Sequence, residues 1–375
     1  MIFLDNASTT RPDDEIVNNF VKYQQDYFNP GALYKVSLNL NARIEDVRKE
    51  IVKLLNGNIN GSFMFTGSST EANNIIINSL VSNNKNEEYI FSSIEHPSVN
   101  NLAIKLKNEG RKVFFVKTNE DGSVNEEDLL SLVNKNTKFV SIINVSNETG
   151  AINDINTLSK KVKEINPKTL FHSDGVQALG KIKVDLKNID FYTISSHKIY
   201  GLKGIAGFYY ANFNNLKPFI LGGGQEQNIR SGTTNAPMIF SLFDAIKNAV
   251  EHQSENYNYV KGLNLILKEK LNQIDNIKIN SNENSSPYIV SFSCLGLNAE
   301  TILRVLSKNE IYVGLGSACS SKKSGNLVLQ SMGKTKEEIL GNLRVSFSKN
   351  NTKEEVLIFS DCLRKTIEDL REKLK

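Results

Sequence analysis

The sequence predicts an α/β protein with a large sheet-based part and a smaller α+β domain, and three observations carry that reading. Between about residues 60 and 210, short apolar runs of β-prone residues alternate with helical patterns. A helical stretch then runs from Pro237 to about Asn272, followed by short strands and a last helix. At 375 residues, the chain also exceeds what one hydrophobic core usually organises.

The runs expected as strands are Phe63–Phe65, Tyr89–Ser92, Val113–Val116, Phe139–Asn144, Leu170–His172, Phe191–Ser195 and Gly207–Tyr210. Between the fourth and fifth, Ile155, Leu158, Val162 and Ile165 recur at three- and four-residue steps, which predicts a helix with one apolar packing face. After the polar stretch 276–287, strands are expected near Tyr288–Phe292. Val356, Phe359, Leu363, Ile367 and Leu370 then repeat with helical spacing near the end. No internal repeat or low-complexity linker interrupts the chain.

Composition narrows the function classes. With 39% hydrophobic and 23% charged residues the chain has the makeup of a soluble globular protein. A net charge of +4 without a basic run gives no surface for nucleic acid or membrane, so a small-molecule substrate is expected. The opening Met1-Ile2-Phe3-Leu4-Asp5 has no targeting pattern, and a cytoplasmic location is expected. Three cysteines, Cys294, Cys319 and Cys362, are too scattered for a disulfide framework, and their spacing suggests no metal site. Familiar nucleotide and hydrolase motifs are missing: Val328 stands where Gly333-Lys334-Thr335 would need the first glycine of a phosphate loop, and no G-x-S-x-G occurs.

What stands out is where the four histidines fall, since His96, His172 and His197 lie at ends of expected strands beside other polar residues. The segment 171–177 ends an apolar run in Asp174, Gly175 and Gln177, and ligands of open α/β sheets gather at such carboxyl ends. Asp174 alone would suit a helix cap, but it also suits a carboxylate held against a pyridinium nitrogen, with Gln177 donating to the ring's phenolic oxygen. Lys198 follows His197 at the next strand end. A lysine buried there is costly unless neutralised, and Schiff-base formation with an aldehyde neutralises it. The string 65–74 offers a helix N-terminus after a strand, where Ser69 and Thr70 would meet a phosphate; the same string fits a capping box without a ligand.

These segments together resemble successive motifs of the NifS/IscS cysteine desulfurases, members of the class V aminotransferase superfamily. The motifs are 4–10, 70–74, Glu95-His96, 144–150, 172–177, 195–204, 222–233, 316–319 and 343–347, in order over nearly the whole chain. The resemblance implies the fold-type-I architecture of pyridoxal 5′-phosphate (PLP) enzymes, with a mostly parallel, mixed seven-stranded sheet. It also implies a large domain over 14–250 and a small one from 1–13 and 251–375. Lys198 resembles the lysine that holds PLP as a Schiff base, Asp174 the ring-nitrogen partner, Gln177 the donor to the phenolic oxygen and His96 the stacking, proton-handling histidine. Ser69, Thr70, Ser195, Ser196 and His197 fall at cofactor-binding positions, mostly around the phosphate. Thr233 resembles a residue that reaches the neighbouring subunit's phosphate, implying a homodimer. Asn147 and Arg344 resemble the binders of the substrate carboxylate, for which a forked guanidinium is well shaped.

Cys319 resembles the nucleophile that takes sulfur from L-cysteine as a persulfide, leaving L-alanine. Its small polar neighbours, Ser317 to Gly325, read as an exposed mobile loop where a thiol can ionise and move. A packing role fits Cys294 and Cys362 better. The pattern departs from IscS-type relatives at Gln225, often His, and at Gln227-Asn228. The implied partner is a sulfur acceptor, an iron–sulfur scaffold or a thiolation enzyme. The alternatives are a selenocysteine lyase or another class V enzyme, and a catalytically silent homologue that acts as a binding partner.

Overall fold

The computed structural model describes residues 1–316 and 326–374. A two-residue strand, Ile2–Phe3 (β1), precedes the helices Asp14–Tyr23 (α1) and Lys35–Leu54 (α2). The predicted alternation follows: Ser62–Thr66 (β2), Ser69–Leu80 (α3), Glu88–Ser92 (β3), Pro97–Asn108 (α4), Lys112–Val116 (β4) and Glu126–Leu132 (α5). Next come Thr137–Ser141 (β5), Ile155–Ile165 (α6), Leu170–Asp174 (β6), Phe191–Ser195 (β7) and Ala206–Tyr210 (β8). All seven expected runs are strands of one sheet, in the order β2-β8-β7-β6-β5-β3-β4. Only β8 is antiparallel to its neighbours, so the sheet is mixed and mostly parallel.

The sheet is covered on both faces, and the sequence shows why. Phe63, Phe65, Ile90, Val140, Phe171, Tyr192 and Tyr209 enter one apolar cluster. Their strand neighbours Met64, Tyr89, Phe91, Phe139, Phe191, Phe208 and Tyr210 enter another on the opposite face. Each such burial stabilises the fold by roughly 1.5–3 kcal/mol before chain entropy is counted. In α6 the expected face holds for Ile155, Leu158 and Val162, whereas Ile165, the last helical residue, is 48% exposed. The run expected to continue to Asn144 stops as a strand at Ser141, and the Ile143 N–H is taken by the Glu95 carboxylate at 2.7 Å.

The helical stretch after Pro237 divides at His252 into Ala236–Glu251 (α7) and Gln253–Leu271 (α8). Then come Ile277–Ile279 (β9), Ile289–Cys294 (β10), Ala299–Lys308 (α9), Ile311–Tyr312 (β11), Leu327–Ser331 (α10), Lys336–Leu340 (α11), Asn342–Ser346 (β12) and Lys353–Leu374 (α12). Strands β12-β10-β9 form an antiparallel sheet, and β11 pairs in parallel with β1. Leu4 and Ala7 from the amino end share a core with Val260, Leu267, Phe292, Phe359 and Leu363, which draws the two ends of the chain together. Val328, Leu329 and Met332 of the α10 region pack instead into the larger core. Thr335, part of the false phosphate-loop motif, caps α11 in a reciprocal box with Glu338. Among the described residues no helix is long and apolar enough to cross a membrane.

Candidate active site

The carboxyl ends of β2, β3, β6 and β7 converge on a cavity of about 750 Å³. Lys198 enters it from the short 3₁₀ turn Ser196–Lys198 that follows β7. Its Nζ donates to Ala7 O at 2.5 Å and Ser8 O at 2.6 Å, so the amino-terminal segment crosses the site and steadies the amine. Burial, reinforced by the Arg344 charge, pushes this amine down to about 8, against the opposing pull of Asp5 and Asp174. Roughly a tenth of it is therefore a neutral nucleophile at pH 7, far more than for an ordinary lysine.

Asp174 ends β6 and faces the same cavity. Its Oδ2 accepts from Asn73 Nδ2 at 3.0 Å and its Oδ1 from the Val176 N–H at 3.1 Å. The tight turn that follows needs glycine, because a Cβ on Gly175 would run into the Tyr192 ring. Asn73 also donates to Ser98 Oγ at 2.9 Å and accepts from Thr193 Oγ1 at 2.7 Å. His96 caps α4 ahead of Pro97, a residue suited to the first helical position. The Ser98 N–H donates to its Nδ1 at 3.2 Å, so a neutral His96 carries its proton on Nε2. Burial lowers its pKa, while Asp174 opposes that shift. Beside it Glu95 is pushed up to about 8 by burial, against the Ser92 hydroxyl bond and with the Asp174 charge adding to the rise.

His172 departs from expectation. Strand β6 continues two residues past it, so the ring is fully buried between strands, bonded to Ser141 at 2.8 Å and Thr193 at 3.3 Å. Burial pushes it down to about 3, and it does not line the cavity.

The same cavity is lined by Gly67, Ser68, Ser69 and Thr70 at the start of α3 and by Ser195, His197 and Lys203. The helix cap is Ser68, whose Oγ accepts the Glu71 N–H at 3.1 Å. Glu71 reaches back to the Gly67 N–H at 2.8 Å and holds Arg230 Nε at 2.6 Å. His197 bonds Thr9 Oγ1 at 3.0 Å, and burial with the nearby Lys198 and Lys203 charges pushes it down to about 4. Ser196 lies elsewhere: its Oγ is buried against Gly201, without a hydrogen-bond partner among the described residues and off the cavity wall. Thr233 lines a neighbouring cavity of about 230 Å³ with Gly67 and Arg230. Before it, Glu226, Gln227 and Asn228 take φ of 46°, 57° and 66°, a left-handed run pinned by two Arg48–Glu226 bonds of 2.6 and 2.8 Å.

Arg344 and Asn147 line the cavity near Lys198. Arg344 Nη2 donates to Asp5 Oδ1 at 2.8 Å and Nη1 to Asn147 O at 2.9 Å, while its buried Nε has no partner among the described residues. Cys319 lies outside the described residues. Cys294 is fully buried and its thiol is pushed up to about 12, and Cys362 is partly buried in α12.

Sequence reasoning singled out Lys198, Asp174, Gln177, His96 and Arg344, and the structure gathers all of them on one cavity. It passed over Asp5, Asn73, Lys181 and Lys203, although Asp5 and Asn73 sit inside segments already marked as motifs. Glu148, also overlooked, accepts from Asn147 Nδ2 at 2.7 Å and lies 3.7 Å from Arg344.

Residues 2–359 match the family model for aminotransferase class-V. The chain is 33% identical over 381 aligned positions to a protein named cysteine desulfurase IscS from Clostridium botulinum, covering 99% of this chain and 95% of that one. It is 32% identical to cysteine desulfurase IscS 1 of Archaeoglobus fulgidus, covering 99% and 98% of the two chains. A solved NifS-like protein from Rickettsia africae superposes with a TM-score of 0.88 at 31% identity, over 98% of this chain and 99% of that one. A structure described as SspA in complex with cysteine gives 0.79 at 25% identity, covering 94% and 100%.

Proposed function

The chain belongs to the class-V aminotransferase family, and on that premise we propose that it is a PLP-dependent cysteine desulfurase of the NifS/IscS kind. The observation that carries the reading is the meeting of the Lys198 amine, the Asp174 carboxylate and the Arg344 guanidinium on one cavity. The residues fit the cofactor. Lys198 offers a depressed amine for its aldehyde. Asp174 offers a buried carboxylate with no cation within ion-pair distance among the described residues, free to pair with a ring nitrogen. The start of α3 offers the N–H groups of Ser69 and Thr70, with Ser195 and His197 lining the same cavity, for its phosphate. Ser196 is better placed to support the turn than to touch the cofactor. Thr233, from its neighbouring cavity, would serve the second copy in a homodimer.

When bound, PLP acts as an electron sink for bonds at the substrate's amino-acid carbons. Arg344 and Asn147, which both line the cavity, would hold the substrate carboxylate, the planar guanidinium matching its two oxygens. Lys198 and His96 would move the protons. The Cys319 thiolate would attack the substrate sulfur, so the carbon–sulfur bond breaks and a sulfur–sulfur bond forms. The remaining carbon frame takes up a proton and leaves as alanine. The persulfide would then pass to an iron–sulfur scaffold or a thiolation enzyme.

Incubating purified protein with L-cysteine, with and without a reductant, and measuring alanine and sulfide tests the reaction. Alanine in both arms and sulfide chiefly with reductant are expected; the absence of alanine would overturn the reading. Borohydride should fix the cofactor's mass on the peptide that contains Lys198, and label on another lysine would refute the attachment.

A further inference from the structure

Lys181 is a second lysine buried beside the cavity, and the proposed reaction gives it no task. It is 5% exposed, and the charges that act on it are those of Lys198 and Arg344, both cations. A buried ammonium in cationic company is costly, and burial accordingly pushes this amine down to about 7. Its Nζ donates to Gln177 Oε1 at 2.5 Å.

That bond decides which way the Gln177 amide faces. In its protonated form the amine has three donors and no acceptor, so that form must meet the amide oxygen. The amide nitrogen is thereby sent the other way, where it donates to Ala7 O at 2.9 Å, the same carbonyl that receives Lys198 Nζ. Gln177 lines the cavity next to Asp174 and Lys198. Without Lys181 the amide keeps only its bond to Ala7 O, and whenever it turns over it offers an oxygen, which would repel an anionic oxygen instead of binding it.

We propose that Lys181 is a positioning residue that fixes Gln177 as a hydrogen-bond donor toward the cavity, so that the site favours a cofactor with an oxyanion beside its aldehyde. The inference rests on the reading that the cavity holds PLP. Apo-protein is titrated with PLP and with 3-deoxypyridoxal 5′-phosphate, which lacks only the phenolic oxygen, and the ratio of the two dissociation constants is taken. The wild type should favour PLP by on the order of tenfold, the usual scale of a hydrogen bond to a charged group. Gln177→Ala should abolish the preference, Lys181→Met should weaken it severalfold, and the double variant should lose no more than Gln177→Ala alone. Lys181→Arg, which keeps a cationic donor, should retain it. Lys181→Gln, ending one bond short of the amine, is expected to behave as the Met variant and replaces it if that protein does not fold. A wild-type ratio in the Met or Gln variant, with the ratio lost in Gln177→Ala, would show that Lys181 only fills space. A wild-type ratio in Gln177→Ala would instead overturn the assignment of Gln177 itself, and the inference with it.

Discussion

The side-chain nitrogen of Asn73 donates to Asp174 Oδ2 across 3.0 Å, and the same nitrogen donates to the Ser98 hydroxyl that bonds the His96 ring. One fully buried amide therefore holds both the carboxylate proposed for the ring nitrogen and, through Ser98, the histidine on the same cavity. Because Thr193 donates to its oxygen, the amide cannot turn over without losing bonds on both sides.

Asn73→Ala should therefore cost more than a surface change. It leaves the buried Asp174 one donor short and takes one of two partners from each of the Ser98 and Thr193 hydroxyls, a loss of about 2–3 kcal/mol. Urea unfolding of the apo-protein should show it. Cofactor release during dialysis should quicken on the order of tenfold, since Asp174 is no longer held in place. Unchanged release with lowered stability would mean that Asn73 serves only the core.

Lys198 should make the apo-protein's stability depend on pH in a defined direction. Its amine titrates near 8 when folded and near 10.5 when unfolded, so between those values the unfolded state binds more protons and stability rises with pH. Below about 8 the whole penalty of a half-buried ammonium is present. Lys198→Met should accordingly stabilise the apo-protein by about 2 kcal/mol at pH 7, after allowance for solvent screening and the two lost carbonyl bonds. The gain should shrink between pH 8 and 10.5. Melting curves of the two apo-proteins across that range are the check, and a constant difference would contradict a depressed amine.

Much of this site was legible because strand ends carry their chemistry in plain view: Asp174 closes β6, and Lys198 stands on the turn that directly follows β7. His172 misled because it sits in the same apolar run, and only the observed length of β6 shows that the strand runs on past it. Ser196 misled for a local reason, since the 3₁₀ turn sends adjacent side chains to different sides and Ser196 Oγ packs under Gly201. Asn73 and Asp174 are 101 positions apart and Asp5 and Arg344 are 339 apart, so no periodicity can pair them. The seven strands were easier, because alternate residues feed opposite cores and each run is apolar on both faces.

The substrate carboxylate should depend on the set of the Arg344 fork as well as on its charge. Arg344→Lys keeps the cation but gives up the planar pair of donors, so KM for cysteine should rise about tenfold or more with the cofactor spectrum unchanged. Gly314→Ala should give a milder rise while leaving the guanidinium chemically intact, because its Cβ would sit 2.7 Å from Asp5 Oδ1 and 2.8 Å from Arg344 Nη2 and displace them. Steady-state kinetics on both variants separate the two effects. A wild-type KM in Arg344→Lys would exclude Arg344 as the carboxylate binder.

The sulfur acceptor is the point at which desulfuration parts from every other reaction open to this cavity. Cys294 is sealed in the small core with its thiol pushed up to about 12, far from the ionised form that attacks sulfur. Cys362 sits in the last helix among residues of the same core. Cys319, in the motif that resembles the family's nucleophile, is the residue proposed to carry the persulfide. Cys319→Ser should keep the cofactor spectrum, since Lys198, Asp174 and Arg344 are untouched, and should still bind cysteine, yet lose persulfide and alanine. Cys294→Ser should retain both at some cost in stability, from a hydroxyl placed among apolar neighbours, and Cys362→Ser should retain both at smaller cost. After one exposure to cysteine, digestion without reductant and mass spectrometry should find one added sulfur on the peptide that contains Cys319. Sulfur found on Cys294 or Cys362, or normal turnover by Cys319→Ser, would rule out this mechanism and leave a lyase or aminotransferase in its place.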